Sequence, residues 1–581
     1  MPGMKCAAGA SQCGPSADRP PSKARRGAKD NAIMRVPDRS LMRKALILPL
    51  LLLLAWRVAA ASEVHAVLVF PFENRSSRPD LNWVSESFAE TVSARFSGPD
   101  FYVLDRAERD AACDQLGIPA DTPLTVASEY KVAQTLGADW AVLGKFNVEG
   151  SGITANARLL DLRQLKLSPP VEVTGELAEL VDLQTRLVWL LEAAHDPHFT
   201  VGTEEEFDRR FPELRLDAFE NYIRGILATD ETTRIHFFME SDRLDPTDHR
   251  AAFALGRLYF AQKDYANSAK WLRKLDPHDP HYLESLFFFG VDEYFLGHYP
   301  SSEAAFERIG KEIPLDEVAN NTGVLEARAG RDEEALQDFE RAYTSDPTDA
   351  DFCFNRGVAL WNLHRYNAAA KSLQEVIRLK DDDSEAHTLL AVVLEKLGDT
   401  AGERTQLGWL SQHQEGSEAR PSLDVLPQPR LKKNFAERAF RLLSLAVHNA
   451  LEERLASLPA DQHAAVYKSR AKSFVSEGRL VEAERELAEA ASLVPGDSDA
   501  HLNLAQVLEA EDKHQEAVVE FQAALRLQDG FAGHLGLARA YLSLNRREQA
   551  RQEGEAALKL NPGSVEAQEL LGHILSGTPP K

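Results

Sequence analysis

Few residues in this chain have types and spacings that could support chemistry. The segment Gly137–Lys145 offers glycines and a Gly-Lys pair, but the spacing differs from that of a phosphate loop, and Phe146 stands where Ser or Thr is required. Asp381–Asp383 could suggest calcium, yet no further oxygen ligands follow at suitable spacing, so we expect a solvated turn. The sequence contains no His-Glu-x-x-His, Gly-x-Ser-x-Gly or Cys-x-x-Cys motif. It therefore predicts no enzyme, no cofactor and no metal site.

Small residues and prolines recur along the chain with a period of 33 or 34 residues. In the segment 316–349, small, large and helix-ending residues stand at the offsets that a two-helix repeat needs, at Gly323, Ala335, Phe339, Ala342 and Pro347. This pattern resembles the tetratricopeptide repeat. The clear copies are 249–282, 283–315, 316–349, 350–383, 464–497, 498–530 and 531–564, with degenerate pairs at 217–248 and 384–411.

The resemblance implies helical hairpins that stack into a superhelix, because one hairpin has too small an apolar face to bury by itself. In this family the concave surface holds extended peptides or a partner's helix, and the fifth and twelfth positions of each first helix face it. In three repeats these positions are aromatic: Phe253, Phe260, Phe287, Tyr294, Phe354 and Trp361. Exposed aromatic area is typical of a partner site, whereas packing between helices is the alternative, and the sequence leaves both open. We expect a groove for hydrophobic or amphipathic peptides in the first run of repeats.

A clamp for a terminal carboxylate is not expected. Chaperone-binding relatives use Lys and Asn at the fifth and ninth positions for this purpose, and Phe253 and Arg257 stand there in the first clear repeat. Lys468 and Lys472 come nearest to the pattern, but without the Asn.

Ahead of the repeats the hydrophobic pattern changes to strands that alternate with helices. Strands are predicted at 66–70, 101–104, 140–146, 153–161 and 171–174, and helices at 81–96, 106–116, 126–136 and 177–194. This order indicates an α/β or α+β unit with a mixed sheet. Its segments 67–76, 81–90, 137–145 and 155–161 are similar to the amino-terminal α/β domain of the Tol-system propeller protein, so we describe the unit as TolB-like. The resemblance implies an interaction or assembly unit that brings no catalytic residue.

The amino terminus predicts export from a bacterial cell. The basic segment Met42–Lys44, the apolar segment Ala45–Trp56 and the small residues up to Ala61 follow the order of a secretory signal. Translation is expected to start at Met34 or Met42. A retained membrane anchor is the alternative, although the apolar run is shorter than the ~20 residues that span a bilayer.

Composition restricts the partners. A net charge of −24 disfavours nucleic acid and anionic membrane, which both require dense Lys and Arg. After removal of the leader the cysteines would be Cys113 and Cys353, in different predicted domains, so no disulfide framework is expected. Other proteins of the envelope or periplasm are the predicted partners; the oligomeric state stays open.

The predicted organisation is a multidomain α+β chain. It comprises a leader at 1–61, a TolB-like α/β domain at 62–197, repeat array 1 at 203–411, a Pro-rich linker at 412–434 and repeat array 2 at 435–577. One continuous superhelix with a long loop is an open alternative. The basic residues Arg430, Lys432 and Lys433 are expected to be a solvated part of the linker. Function is predicted as a non-enzymatic interaction scaffold, or alternatively as a sensor whose α/β domain receives a signal that the repeats transmit.

Overall fold

The computed structural model describes residues 64–96, 101–119, 123–195, 202–208, 210–211, 214–277, 279–413, 427–476 and 478–576. The predicted leader lies outside them. The residues from Val64 onward belong to one structural unit, in which a sheet domain precedes two runs of helices.

Seven strands form one mixed sheet, as predicted. They are β1 (His65–Val69), β2 (Glu73–Asn74), β3 (Phe101–Leu104), β4 (Trp140–Glu149), β5 (Gly152–Asp161), β6 (Lys166–Leu167) and β7 (Val171–Glu176). Strand β1 lies between β3 and β4 and is parallel to both. Strands β4 and β5 form a long antiparallel hairpin, and β7 extends the sheet antiparallel to β5. The two-residue strands β2 and β6 were not predicted, since such short segments carry no periodic pattern.

Helices cover both faces of this sheet. They are α1 (Asn82–Arg95), α2 (Arg106–Gln115), α3 (Val126–Leu136) and α4 (Leu180–His195). Phe88 of α1 and Leu187 of α4 are fully buried against one face, and Val132 of α3 is fully buried on the other. Asp105 begins α2 with a capping box, which places its carboxylate and that of Glu108 at the end of strand β3.

The first run of helices forms antiparallel hairpins with the predicted repeat length. After the short α5 (Glu204–Asp208), it contains α6 (Leu216–Leu227), α7 (Glu231–Leu244), α8 (Arg250–Ala261), α9 (Tyr265–Leu272), α10 (Tyr282–Phe295), α11 (Tyr299–Glu312), α12 (Asp316–Arg328), α13 (Asp332–Ser345), α14 (Ala350–Asn362), α15 (Tyr366–Leu379), α16 (Ser384–Leu397) and α17 (Thr400–His413). The pairs 217–248 and 384–411, which are degenerate in sequence, are complete hairpins. Phe219 and Ile223 of α6 belong to the core of the sheet domain, so the array and the sheet share apolar packing.

The second run begins after residues 427–436, which have no regular secondary structure. Its helices are α18 (Glu437–Ala456), α19 (Ala460–Ser476), α20 (Leu480–Leu493), α21 (Ser498–Ala510), α22 (His514–Leu527), α23 (Phe531–Ser543), α24 (Arg547–Leu560) and α25 (Val565–Ser576). Throughout the described residues, no helix has both the length and the apolar character that crossing a bilayer requires.

The repeat glycines lie where the two helices of a hairpin approach each other, as the spacing predicts. A Cβ atom on Gly323 would lie 2.8 Å from Cε1 of Phe339, and one on Gly290 would lie 2.9 Å from Cζ of Phe306. Both phenylalanines are fully buried. A large side chain on the second helix therefore fills the space that the glycine of the first helix leaves, and this pairing repeats along the array.

Candidate peptide-binding groove

Three asparagines of array 1 hold the main chain of the segment 427–436, which we call the groove segment. Asn355 on α14 accepts a hydrogen bond from the Arg430 backbone N–H at 2.6 Å and donates to the Arg430 carbonyl at 2.7 Å. Asn321 on α12 forms the same pair of bonds with Lys432, at 2.7 and 2.9 Å. Asn320 adds a bond to the Arg430 carbonyl at 3.0 Å. Because alternate residues of an extended chain face the same side, this spacing of two fixes an extended segment in the groove.

The same asparagines also bond to one another. The amide of Asn355 donates to Oδ1 of Asn320 at 2.7 Å, and that of Asn320 donates to Oδ1 of Asn321 at 3.2 Å. All three side chains belong to fully buried residues. Buried amides are costly unless paired, so these residues are pre-arranged to accept a peptide backbone.

Arg430 enters a pocket of carboxylates from two adjacent repeats. Its guanidinium donates to Asp383 at 2.6 and 2.8 Å and to Glu385 at 2.7 and 2.9 Å, and it reaches Asp351 at 3.2 Å. The guanidinium carbon lies 3.7 Å from the ring centroid of Phe354. Arginine forms bidentate hydrogen bonds with carboxylates and stacks on aromatic rings, and lysine reproduces neither contact.

Lys432 binds the neighbouring pair of carboxylates. Its ammonium donates to Asp349 at 2.7 Å and to Asp351 at 2.9 Å, and lies 5.1 Å from the ring of Phe352. Asp349 is at the same time the N-cap of α14, where it accepts from the backbone of Asp351 and Phe352. The positive charge of Lys432 thus balances the two carboxylates at the N-terminus of α14.

The charges of the groove stabilise one another. Burial acts to raise the pKa of Asp383, but the hydrogen bonds and charge of Arg430, together with the Ala386 backbone N–H and the charge of Lys380, hold the pKa below its ordinary value. Burial acts to lower the pKa of Lys432, but Asp349 and Asp351 outweigh it and raise the pKa. The contacts between the groove segment and array 1 therefore favour the charged forms of both Asp383 and Lys432.

The aromatic end of the groove segment is Phe435. Its ring meets those of Phe287 and Phe288 on α10 at 4.7 and 5.5 Å between centroids, and that of Phe440 on α18 at 5.1 Å. Leu431 also packs against apolar residues of the array. The segment therefore offers two cations and then an aromatic ring to matching pockets.

Helix α18 continues from the groove segment to the sheet domain. Arg441 donates to Asp105 at 2.6 Å and to Glu108 at 3.1 Å, and Arg438 donates to the carbonyl of Leu136 at 3.2 Å. A charged path therefore links the groove with the α/β domain.

The six aromatic residues predicted for the groove fall into two groups. Phe287 and Phe354 lie under the groove segment, Phe287 against Phe435 and Phe354 beneath Arg430, and both are fully buried. The other four are half-buried among neighbouring rings. Phe253 stacks on His281, Phe260 meets Phe288 and Tyr265, Tyr294 meets Phe295 and Tyr299, and Trp361 meets Tyr366.

Two sequence expectations are corrected here. Arg430 and Lys432 are not solvated, because both side chains are largely enclosed by carboxylates of the groove; Lys433 is exposed, with its ammonium 5.0 Å from the ring of Phe295. In the turn Asp381–Asp383 the first two residues are exposed as expected, but the Asp383 side chain is only 2% exposed, since it binds Arg430 and caps α16.

The asparagines were missed, although a signal was present. Asp349 and Asp351 recur 34 residues later as Asp383 and Glu385. Because this pair of acidic residues recurs at the start of successive first helices, it could have been matched to a basic segment elsewhere in the chain.

In array 2, the ammonium group of Lys468 donates a hydrogen bond to Asp497 at 2.5 Å.

One group of described residues has a metal-like arrangement. His249, Asp276 and Asp279 place candidate ligand atoms within 4.8 Å of one another. His249 Nδ1 lies 2.6 Å from an Asp279 oxygen, and this hydrogen bond raises the pKa of the histidine. An ion pair at a turn between repeats accounts for the arrangement.

Comparison with protein families identifies the hairpins. One tetratricopeptide repeat model matches residues 327–393, and a second matches 240–282, 289–350, 469–530 and 535–575. The helical hairpins within the matched residues of both arrays are therefore tetratricopeptide repeats.

Among the solved structures whose helices are similar to those of this chain are the following three. MamA (residue 41 to the end) from Desulfovibrio magneticus RS-1 is 14% identical, with 30% of this chain and 98% of that chain covered and a TM-score of 0.28. A tetratricopeptide repeat protein from Parabacteroides merdae is 12% identical, with 56% and 98% covered and a TM-score of 0.24. The first TPR of Spaghetti (RPAP3), bound to the HSP90 peptide SRMEEVD, is 22% identical, with 20% and 94% covered and a TM-score of 0.20.

Proposed function

We propose that this protein is a non-enzymatic protein–protein interaction scaffold whose array 1 binds extended segments of partner proteins. The observation that carries the proposal is the hydrogen-bonded contact of Asn320, Asn321 and Asn355 with the main chain of the groove segment. Main-chain recognition of this kind is independent of side-chain identity, so any extended segment of suitable charge can satisfy it. Phe287 and Phe354, which contact the groove segment, are proposed to form the floor of the partner-binding site. The proposed site is bordered by the other four aromatic residues, Phe253, Phe260, Tyr294 and Trp361.

The proposed location is the bacterial cell envelope. The leader-like sequence up to Ala61 supports export, and the resemblance of residues 62–197 to a TolB-like domain supports a role among envelope proteins. The proposed partners are envelope or periplasmic proteins.

Affinity capture from the native envelope tests this function. The bait is the full chain with Arg430→Ala and Lys432→Ala, which weakens the hold of the groove segment. We expect specific envelope proteins to crosslink to this bait and to be lost when Asn321→Ala and Asn355→Ala are added. Asn362→Ala is the matched control, because Asn362 is exposed on the same helix as Asn355 and its amide donates to Asp332 rather than to the groove segment. Identical captures by all baits would contradict the proposal.

A sensor is the second candidate, and one contact favours it. Arg441 connects the helix that follows the groove segment to Asp105 and Glu108 of the α/β domain. A signal received by that domain would reach the groove through α18. Under this candidate, Arg441→Ala changes partner affinity in the groove; under the pure scaffold it leaves affinity unchanged, and titration of a captured partner distinguishes them.

A further inference from the structure

We infer that partner segments for array 1 carry the pattern Arg-x-Lys-x-x-Phe, and that residues 430–435 are a built-in competitor which such partners displace. The inference rests on the proposed function, since it names the partner chemistry of the same groove. It follows from three pockets that the groove segment fills in a fixed order.

The first pocket selects a guanidinium. Asp383 is 2% exposed and binds the Arg430 guanidinium at 2.6 Å. Lys380 lies 4.0 Å from the same carboxylate, with its side chain 57% exposed. Glu385 and Asp351 complete the acidic wall around the guanidinium. A buried carboxylate that loses its partner is strongly destabilising. A bound segment must therefore place a bidentate cation, an arginine, next to Asp383. The carboxylates of this pocket would repel an acidic segment.

The second and third pockets fix the spacing. The paired backbone hydrogen bonds at Arg430 and Lys432 set the register of the segment. The side chain two residues after the arginine therefore contacts Asp349 and Asp351. Three residues further, an aromatic ring reaches Phe287 and Phe288. Opposite charges and a matched ring give specificity, while the asparagines give affinity that does not depend on sequence.

The groove segment is exchangeable because side chains of the groove hold its main chain. Every bond described above between the asparagines and residues 430 and 432 can be made by another chain in the same register. A tethered segment acts as a ligand at about 1 mM. With an intrinsic Kd of about 1 μM, the groove is open about 0.1% of the time, so the apparent Kd of a free competitor rises about 1,000-fold.

The test measures binding of a fluorescein-labelled peptide with the sequence of residues 427–437 to the full-length chain. We expect the chain with Arg430→Ala and Lys432→Ala to bind it about 1,000-fold more tightly than wild type. A peptide with Glu at both basic positions should not bind either form, and adding Asn321→Ala and Asn355→Ala should abolish binding. Circular dichroism melting verifies that each variant is folded, and Phe435→Ala provides a second opened groove should the first variant fail to fold.

Two results would overturn the inference: no binding of the peptide to either opened variant, or equal affinity for wild type and opened chains. The outcomes are separable from those of the capture experiment. A peptide that binds the opened groove while no envelope protein is captured refutes the proposed function and leaves the inference standing. Partners captured through the asparagines by an opened groove that ignores the peptide refute the inference alone.

Discussion

Replacing Asn321 and Asn355 together by alanine should release the groove segment without unfolding the repeats. The two amides make four hydrogen bonds to the main chain of Arg430 and Lys432. At a net value of about 1 kcal/mol each, their loss costs about 4 kcal/mol of docking free energy. Each 1.4 kcal/mol is a factor of ten in an equilibrium constant, so the released fraction should rise about 1,000-fold.

Trypsin reports this release, because it cleaves after Arg430 and Lys432 when the segment is extended and free. When docking is fast relative to cleavage, the cleavage rate follows the open population. The double variant should therefore be cut at these sites about 1,000 times faster than wild type, while Asn362→Ala is cut at the wild-type rate. A double variant that melts like wild type and is cut within threefold of its rate would refute the assignment of the asparagines.

Three further predictions concern the packing, the titration and the connection of the groove. Gly323→Ala should lower the free energy of unfolding in urea by about 1–3 kcal/mol, because its Cβ would lie 2.8 Å from the Phe339 ring, whereas Gly408→Ala, with open space around it, should raise it by about 0.5–1 kcal/mol; the same sign for both would contradict the packing argument. Burial, with repulsion from neighbouring carboxylates, raises the pKa of Asp292 to about 8 from 3.8, so its contribution to stability is full below about pH 4 and is lost as the pH rises through about 8; Asp292→Asn should flatten the decline of melting temperature between pH 5 and 9, and an unchanged decline would refute the assignment. Arg441→Ala removes two charge-assisted bonds and should speed hydrogen exchange in α18 by at least about tenfold, with no change expected in α12.

The repeats could be predicted because their determinants are local. Gly323 and Phe339 stand at fixed offsets within one hairpin, and each following hairpin repeats the offsets, so spacing alone identifies the helices and their contact. The strands of the sheet domain could also be predicted, since they are short apolar runs such as Ala66–Phe70, which ends at Pro71. Local patterns thus give most of the fold.

The content of the groove could not be predicted in this way. Asn355 and Arg430 are 75 residues apart, and nothing in the local pattern joins them. The surrounding sequence Pro427–Lys433 is typical of a linker. Arg430 and Lys432 are enclosed only because carboxylates from distant parts of the chain surround them. The six aromatic residues lie on first helices of their hairpins. Which of them contact the groove segment depends on the path of a distant part of the chain.

Hydrogen exchange of the wild-type groove segment, read by mass spectrometry, tests the central claim most directly. If array 1 holds an extended chain through its asparagines, the amides of Arg430 and Lys432 should exchange about 1,000 times more slowly than those of a free peptide of the same sequence, as about 4 kcal/mol of docking requires. Exchange within tenfold of the free-peptide rate would contradict the account.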